Sequence, residues 1–472
     1  MALNAALRRK ILERISPTPS EAAAEKRFAL ALSEKLARAF AKNNSRVKVH
    51  FVGSTARDTG LRGDKDVDLF VSFPRSKTRE EIVERTIAVT KKTIRTKWEM
   101  HYAEHPYIQG NVKSDYASVD GKGKKGSGRS GETFEVEVIP CFDTKPNEKL
   151  KSAVDRSPLH MLYLQKRLTR AQREDVRLLK QLLKAHEIYG AESRIGGFSG
   201  LLCEYLILNY RSLDGLMRTA AQWKPPVVID IEGYYADAKP SFTEPLVLID
   251  AIDRNRNAAA PVTQTALNKF ILLAREYGKA TKETLFFPKK RVYTKAEVFA
   301  AMKKRGTDFL LIEFRTPRGL VDDILWPQLA RTAQSLRKQL AQRDWKPLGT
   351  THFVDDEKKT RQGFILIELE SLQRPKLVRV YGPPVEREED VKRFLKAHPH
   401  PLRGPFVQGR RLVIEEKQSQ TNASDFLKNA LKQPIKIGVA SFLRRGMRNA
   451  RFSENAKTVA ENTLEEIAKY LF

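Results

Sequence analysis

Two cysteines in 472 residues, Cys141 and Cys203, are too few for a disulfide framework or a cysteine-based zinc site. No apolar run reaches the roughly 18 residues that a membrane-crossing helix needs, which excludes an ordinary transmembrane segment. The opening stretch "MALNAALRRKILERISPTPSEAAAEKRF" lacks the apolar core of a secretory signal and reads as an amphipathic helix, a proline break and a second helix. A cytoplasmic protein is the simplest expectation. Acid is also in short supply, with 57 Asp and Glu against 86 Lys and Arg, a net charge of +29. An excess of this size predicts a polyanionic partner, most often nucleic acid; a solvated surface adapted to salt or heat is the alternative.

At 41% hydrophobic residues the chain can bury sizeable cores, and its length predicts three or four domains. Residues 1–146 read as a mixed α/β segment and 147–285 as mostly helical. Residues 286–383 carry the strand-helix-strand order of a small α/β sandwich, and 384–472 read as a helical, basic tail. In the helical segment, "RAQREDVRLLKQLLKAHEIYG" sets Val176, Leu179, Leu182 and Leu183 against Arg173, Arg177, Lys180 and Lys184 at helical spacing. That basic stripe is either a solvated face or a grip for RNA. The stretch "DGKGKKGSGRSGE", from Asp120 to Glu132, has five glycines and four basic residues and reads as a flexible hairpin loop. It is either a surface insertion or a basic flap against RNA.

The stretch with most chemistry is "FVGSTARDTGLRGDKDVDLFV", Phe51 to Val71. Strand alternation sends Asp66 and Asp68 to one face and Val67 and Leu69 to the other. Two carboxylates this close repel unless a cation lies between them, and all-oxygen ligands favour a hard ion such as Mg²⁺. Glu137, on the alternating stretch "FEVEVIP", adds a third acid if that strand lies beside the first. A solvated strand face is the commoner fate of a lone DxD. Gly53 and Ser54 tip the balance, because a Gly-Ser turn at a helix start can cradle a triphosphate.

Strand, Gly-Ser turn, helix and then alternating acids resemble the signature of the polymerase-β-like nucleotidyltransferase superfamily. Further blocks narrow the match. "GSTARDTGLRGDKDVDLFVSFP", "YAEHPYIQG", "EVEVIPCF", "KSAVDRSPLH", "VRLLKQLLKAHEIYGAE", "GGFSGLLCEYLI" and "LVLIDAIDRNRNAAA" together resemble the archaeal, class I CCA-adding enzymes, a family of tRNA nucleotidyltransferases. The resemblance covers about two thirds of the chain and weakens after about residue 300. It implies an α+β multidomain fold: a polymerase-β-like nucleotidyltransferase palm, a helical central domain, a small α/β sandwich body and a helical basic tail. It also implies addition of C, C and A to the 3′ end of tRNA from CTP and ATP, with two Mg²⁺ ions and no nucleic acid template. The expected partner is tRNA, gripped at the acceptor stem and TΨC arm; no membrane is involved, and a homodimer is left open.

Position by position, the resemblance makes Asp66, Asp68 and Glu137 the metal carboxylates and sets Gly53, Ser54 and Arg57 at the triphosphate. Arg156, His160, Lys180 and Tyr189 match nucleotide-binding positions, Asp250 and Arg256 the place where the incoming base is read, and Glu104 and His105 the primer end. Each has a plainer alternative. Arg156 and Arg256 could pair with Asp155 and Asp253, Tyr189 could be a core aromatic, and His160 a packed histidine. Cys141 and Cys203 read as small buried residues. Two departures stand out: the family commonly has Glu first and Asp third in the carboxylate triad, and a shorter connection before the third acid. The rival readings are another RNA nucleotidyltransferase of poly(A) type and an inactive RNA-binding relative.

Overall fold

The computed structural model describes residues 3–42, 46–102, 105–114, 131–146, 148–236, 240–279, 282–289, 291–355, 361–455 and 461–472. The chain divides into two compact units, Met1–Lys289 and Lys290–Phe472. In the first, helices α1 (Ala5–Ile15) and α2 (Pro19–Lys42) lead into strand β1 (Lys48–Val52) and a single helical turn, α3 (Gly53–Ala56). Then come β2 (Asp66–Phe73), α4 (Arg79–Thr93), β3 (Trp98–Tyr102), β4 (Pro106–Lys113) and β5 (Thr133–Phe142). The strands form one sheet in the order β1-β2-β5-β4-β3, in which β2 and β5 run parallel and the other pairs antiparallel.

Alternation along these strands decides what each face does. Val67, Leu69 and Val71 join Phe134, Val136 and Val138 beneath α2 and α4, where Phe28, Leu36, Phe40 and Ile82 complete the core. Phe28 stacks on Phe134 with ring centroids 4.5 Å apart. The opposite face begins with Asp66, Asp68, Glu135 and Glu137 and turns apolar further along. There Val52, Phe70, Ile139 and Cys141 cluster with Met161. One face of one sheet is therefore acidic at the strand starts and sealed by packing at the strand ends.

The rest of this unit is mostly helical: α5 (Arg156–Arg167), α6 (Arg170–Ala185), α7 (Gly200–Tyr210) and α8 (Leu213–Ala220), then strands β6 (Val227–Asp230) and β7 (Leu246–Ile249), and helices α9 (Gln264–Lys279) and α10 (Glu283–Phe286). A single core runs through it, including Leu179, Leu183, Leu206 and Phe270, and it also takes in Ile11 and Ile15 of α1 and Leu61 from the loop before β2. Helix α1 and the loop before β2 thus each send residues in among the central helices. That sharing makes residues 1–289 one compact unit, although the sequence pattern changes near residue 146.

The second unit contains α11 (Lys295–Arg305), β8 (Asp308–Arg315), α12 (Asp322–Ala341), β9 (Pro347–Asp355), β10 (Gln362–Leu369) and β11 (Leu377–Pro384). These are followed by α13 (Glu388–Ala397), β12 (Arg403–Gln408), β13 (Arg411–Lys417), α14 (Ala423–Ala430), α15 (Arg444–Arg448), β14 (Arg451–Glu454) and α16 (Glu461–Leu471). A four-stranded sheet, β14-β8-β10-β9, packs on one side against Leu329, Leu336, Phe426 and Met447 and on the other against Val298, Met302 and Ile467. The expected sandwich is present, with two differences. β11 leaves it for a separate sheet, β11-β13-β12, and the tail carries strands as well as helices, β14 returning to pair with β8. Gly404 and Pro405 disguise β12 in the sequence; a proline fits there because β12 is an edge strand. Among the described residues no helix is long and apolar enough to cross a membrane.

Asp155 ties the sheet to the helical part. It is 1% exposed, and its carboxylate accepts the backbone N–H of Phe142 at 2.8 Å and of Ser152 at 2.9 Å, fixing the entrance to α5. Asp155→Ala leaves these donors unpaired and is expected to cost about 3 kcal/mol, read as a lower melting temperature; an unchanged melting temperature would contradict this role.

Candidate active site

The pairing register assembles the acids. Val52 of β1 lies opposite Asp68, and in the parallel pair Asp66 lies opposite Glu135 and Asp68 opposite Glu137. Glu137 thus stands beside the DxD strand as the alternation allowed. Glu135 joins the same face; the parity that selects Glu137 selects it equally, and the sequence reading passed over it. Gly53 has φ +83°, and a Cβ there would lie 2.0 Å from Oδ2 of Asp68. Only glycine leaves that carboxylate its place. The Thr55 hydroxyl donates to the backbone carbonyl of Asp66 at 3.2 Å, fastening the turn to the strand, and the Ser54 carbonyl accepts from the Thr59 N–H at 2.9 Å.

The electrostatics of this face call for a cation. Burial, then the charge of Asp66, raises the Asp68 carboxyl to about 6. Burial, then Asp68, Glu135 and Asp66, raises Glu137 to about 8, and burial with Asp64 and Glu135 raises Asp66. Among the described residues, however, no three His, Cys, Asp or Glu side chains converge in ligating geometry. The arrangement offers a common acidic face whose ionisation is opposed by burial and by neighbouring charge. The donors are all oxygen, which suits a hard divalent ion, and Asp66, Asp68 and Glu137 could hold one.

The basic stripe of α6 corrects an expectation. Its middle is not a solvated face: Arg177 and Lys180 are 7% and 1% exposed, while Arg173 is half-buried and Lys184 exposed. Lys180 Nζ donates to the Thr59 carbonyl at 3.0 Å, and Arg177 donates from Nε to the Gly60 carbonyl at 2.9 Å and pairs with Asp58. Lys184 reaches Asp64 at 3.3 Å. These cations grip the loop between the Gly-Ser turn and β2, whose carbonyls and acids complement them. Periodicity along α6 could not reveal a partner over a hundred residues away. Tyr189 lies beside Lys180: a Cβ on Gly200 would sit 3.4 Å from the tyrosine hydroxyl and 3.5 Å from Lys180 Nζ.

Arg57 has an unforeseen partner. Its Nε donates to Oε1 of Glu204 at 2.9 Å, and the Thr59 hydroxyl donates to the same atom at 2.5 Å. Glu204, on α7, is fully buried. The signal was a single acid inside the apolar run "GGFSGLLCEYLI", since a charge buried on a helix needs a compensating partner.

A second cluster centres on Asp250, which is also fully buried. His160 Nε2 lies 2.9 Å from Oδ1, the Tyr205 hydroxyl donates at 3.2 Å, the Ile252 N–H donates at 2.9 Å, and Arg256 forms an ion pair. Burial opposes ionisation of Asp250, but the bonds from His160 and Ile252 and the Arg256 charge hold it well below the usual carboxylate range. Burial lowers His160. Arg156 pairs with Asp253 at 2.7 Å. Both arginines therefore have carboxylate partners, though Asp155 is occupied with backbone N–H groups and Arg256 takes Asp250. Arg57 joins the two clusters electrostatically, its charge being felt at Asp68 and at His160. Glu104 lies outside the described residues. His105, expected at the primer end, is buried just before β4. It is 2% exposed, and Gln109 of that strand lies opposite Glu137.

A Gly-Ser turn set against paired acids on adjacent strands defines a nucleotidyltransferase site. Residues 33–118 match the family described as nucleotidyltransferase domain, 174–287 the tRNA nucleotidyltransferase second domain, and 305–448 the C-terminal domain of CCA-adding enzymes. The CCA-adding enzyme of Methanothermobacter thermautotrophicus is 33% identical over 84% of this chain and 82% of its own length. That of Haloarcula marismortui is 33% identical over 93% and 92%. The chain belongs to the archaeal CCA-adding enzyme family. A solved Cid1 poly(U) polymerase with Mg 3′-dATP bound is only loosely similar, with a TM-score of 0.45 and 14% identity over 60% of this chain and 97% of that one.

Two predictions follow from this geometry. Gly53→Ala forces Asp68 aside and is expected to lower metal-dependent nucleotide incorporation about a hundredfold; near-normal turnover would show the contact to be unimportant. The second concerns pH. A carboxyl raised in the folded state stabilises the fold at low pH, and that contribution is lost as pH rises through its folded value. Metal-free protein should therefore lose melting temperature as pH rises from the ordinary carboxylate range through about 6 and about 8. Glu137→Gln should flatten the upper part of that decline, as read by thermal melts in chelator; parallel curves for the two proteins would refute it.

Proposed function

We propose that this chain adds C, C and A to the 3′ end of tRNA from CTP and ATP without a nucleic acid template, releasing pyrophosphate. The observation that carries the reading is the β2–β5 register, which lines Asp66, Asp68 and Glu137 on one face beside the Gly53–Ser54 turn. Asp66, Asp68 and Glu137 would hold two Mg²⁺ ions. When bound, such ions lower the pKa of the primer 3′-OH and neutralise charge on the triphosphate.

The side chains of the unit divide the remaining work. The Gly53–Ser54 turn and Arg57 receive the triphosphate, with Arg156 as a further cation. Lys180, holding the Thr59 carbonyl, keeps a fixed positive charge behind the turn. The 3′-oxygen attacks the α-phosphorus in line; the new P–O bond forms as the bond to the bridging oxygen breaks, and pyrophosphate leaves with its charge offset by these cations. His160 and Tyr189 orient the sugar. Arg256, steadied by Asp250, reads the incoming base together with the tRNA end. Shape and phosphate contacts to the acceptor stem and TΨC arm, drawn from the +29 excess, select tRNA. Within this reading residues 1–146 carry the chemistry, 147–285 the nucleotide's support, and 286–383 with 384–472 the tRNA grip, in the cytoplasm where tRNA is matured.

tRNA lacking CCA, incubated with Mg²⁺ and each labelled nucleotide, is expected to take up C, C and A in order and then stop. Asp68→Ala is expected to abolish incorporation while leaving tRNA binding in place. Continued A addition, or a preference for unstructured RNA, would identify a different RNA polymerase; tight RNA binding by the unaltered protein without turnover would identify an inactive binder.

A further inference from the structure

We infer that Glu204 is a positioning residue for nucleotide binding: from the buried face of α7 it fixes the guanidinium of Arg57 and the hydroxyl of Thr59, and so sets the loop that faces the triphosphate. The inference rests on the proposed role of Arg57. Three observations carry it. One oxygen, Oε1, accepts both Arg57 Nε at 2.9 Å and the Thr59 hydroxyl at 2.5 Å. Among the described residues Glu204 is the one hydrogen-bond partner of the Arg57 side chain, so the N–H groups on both Nη atoms remain to donate. The second oxygen, Oε2, is buried and has no partner among the described residues, so the acid is not fully satisfied by its structural bonds.

The surroundings explain why an acid is needed there. Thr59 is held from three directions: its hydroxyl by Glu204, its N–H by the Ser54 carbonyl at 2.9 Å, and its carbonyl by Lys180 at 3.0 Å. Lys180 and Arg57 bring two positive charges into a region where Glu204 is completely buried, and Glu204 is the strongest opposing charge felt by Lys180. One carboxylate thus balances two cations and aims one of them. An arginine fork loses less freedom on binding when its Nε edge is already fixed, which lowers the entropic cost of gripping phosphate.

The test is a double-mutant cycle in the full-length protein, with tRNA lacking CCA and either CTP or ATP. Glu204→Gln keeps volume and one acceptor but removes the charge; it is expected to raise KM for both nucleotides about tenfold, with kcat changed less than about threefold. In an Arg57→Ala background the same substitution is expected to change KM less than about twofold. Glu204→Asp, which retains the charge, guards against loss of fold in Glu204→Gln and should raise KM in the same direction by a smaller factor. A raised KM in Arg57→Ala, with Glu204→Gln adding its full factor on top, overturns the inference alone. A normal KM in Arg57→Ala overturns the role of Arg57 and the inference with it. A Glu204→Gln enzyme with normal KM also overturns the inference.

Discussion

Repulsion among Asp66, Asp68, Glu135 and Glu137 is the constraint around which the first unit is arranged. Four acids on adjacent strands cannot relax by moving, because Val67, Leu69, Val136 and Val138 anchor the other face of the same strands in the core. The result is a face whose protonation is displaced upward, most at Glu137. A surface of that kind is poor structure and good ligand, since it binds most favourably whatever supplies positive charge. The energy for holding it comes from apolar burial on both sides of the sheet, beneath α2 and α4 and around Val52, Phe70 and Ile139.

The second layer of the arrangement is cationic, buried at Arg177 and Lys180 and exposed at Lys184. Arg57, Arg177, Lys180 and Lys184 grip or border the loop between Asp58 and Asp64, and each engages a carbonyl or an acid. A buried cation that loses its partner costs about 3–5 kcal/mol, so the bonds of Arg177 and Lys180 lock the loop even where each adds little net stability. The loop's Leu61 enters the central core beside residues of α6 and α7. Position of the Gly-Ser turn therefore depends on packing more than a hundred residues downstream, and the sheet and central helices act as one body.

Much of this was legible in the sequence, and the limits have physical reasons. The strands β2 and β5, the helices α2 and α6 and the acids on one face follow from alternation and helical spacing, which are local properties. The resemblance across seven blocks supplied the site residues that spacing alone could not. The orientation of the α6 cations was not legible, because a stripe facing water and a stripe facing a complementary loop have the same period. Glu204 was passed over because its role exists only once Arg57 and Thr59 arrive beside it. Strand β12 of the tail was hidden by Gly404 and Pro405, residues that break strands except at an edge. His105 was carried by its place in a matching block, since spacing alone assigns a buried histidine no role.

The exchange of carboxylate lengths can now be set against the register. By the resemblance read from the sequence, Asp66 stands at the position of a longer acid and Glu137 at that of a shorter one. Both changes act across the β2–β5 pair: shortening the acid on β2 and lengthening that on β5 leaves the number of charges and methylenes unchanged. Asp68 does not shift, because β1 and β5 pair on either side of it and Gly53 leaves room only for its present position. The longer side chain also falls at Glu137, where burial is the largest cause of the raised carboxyl. An extra methylene there lets the charged end reach outward from the strand, which offsets part of the cost of ionising it. Asp68, paired between Val52 and Glu137, is the fixed point beside the two exchanged acids.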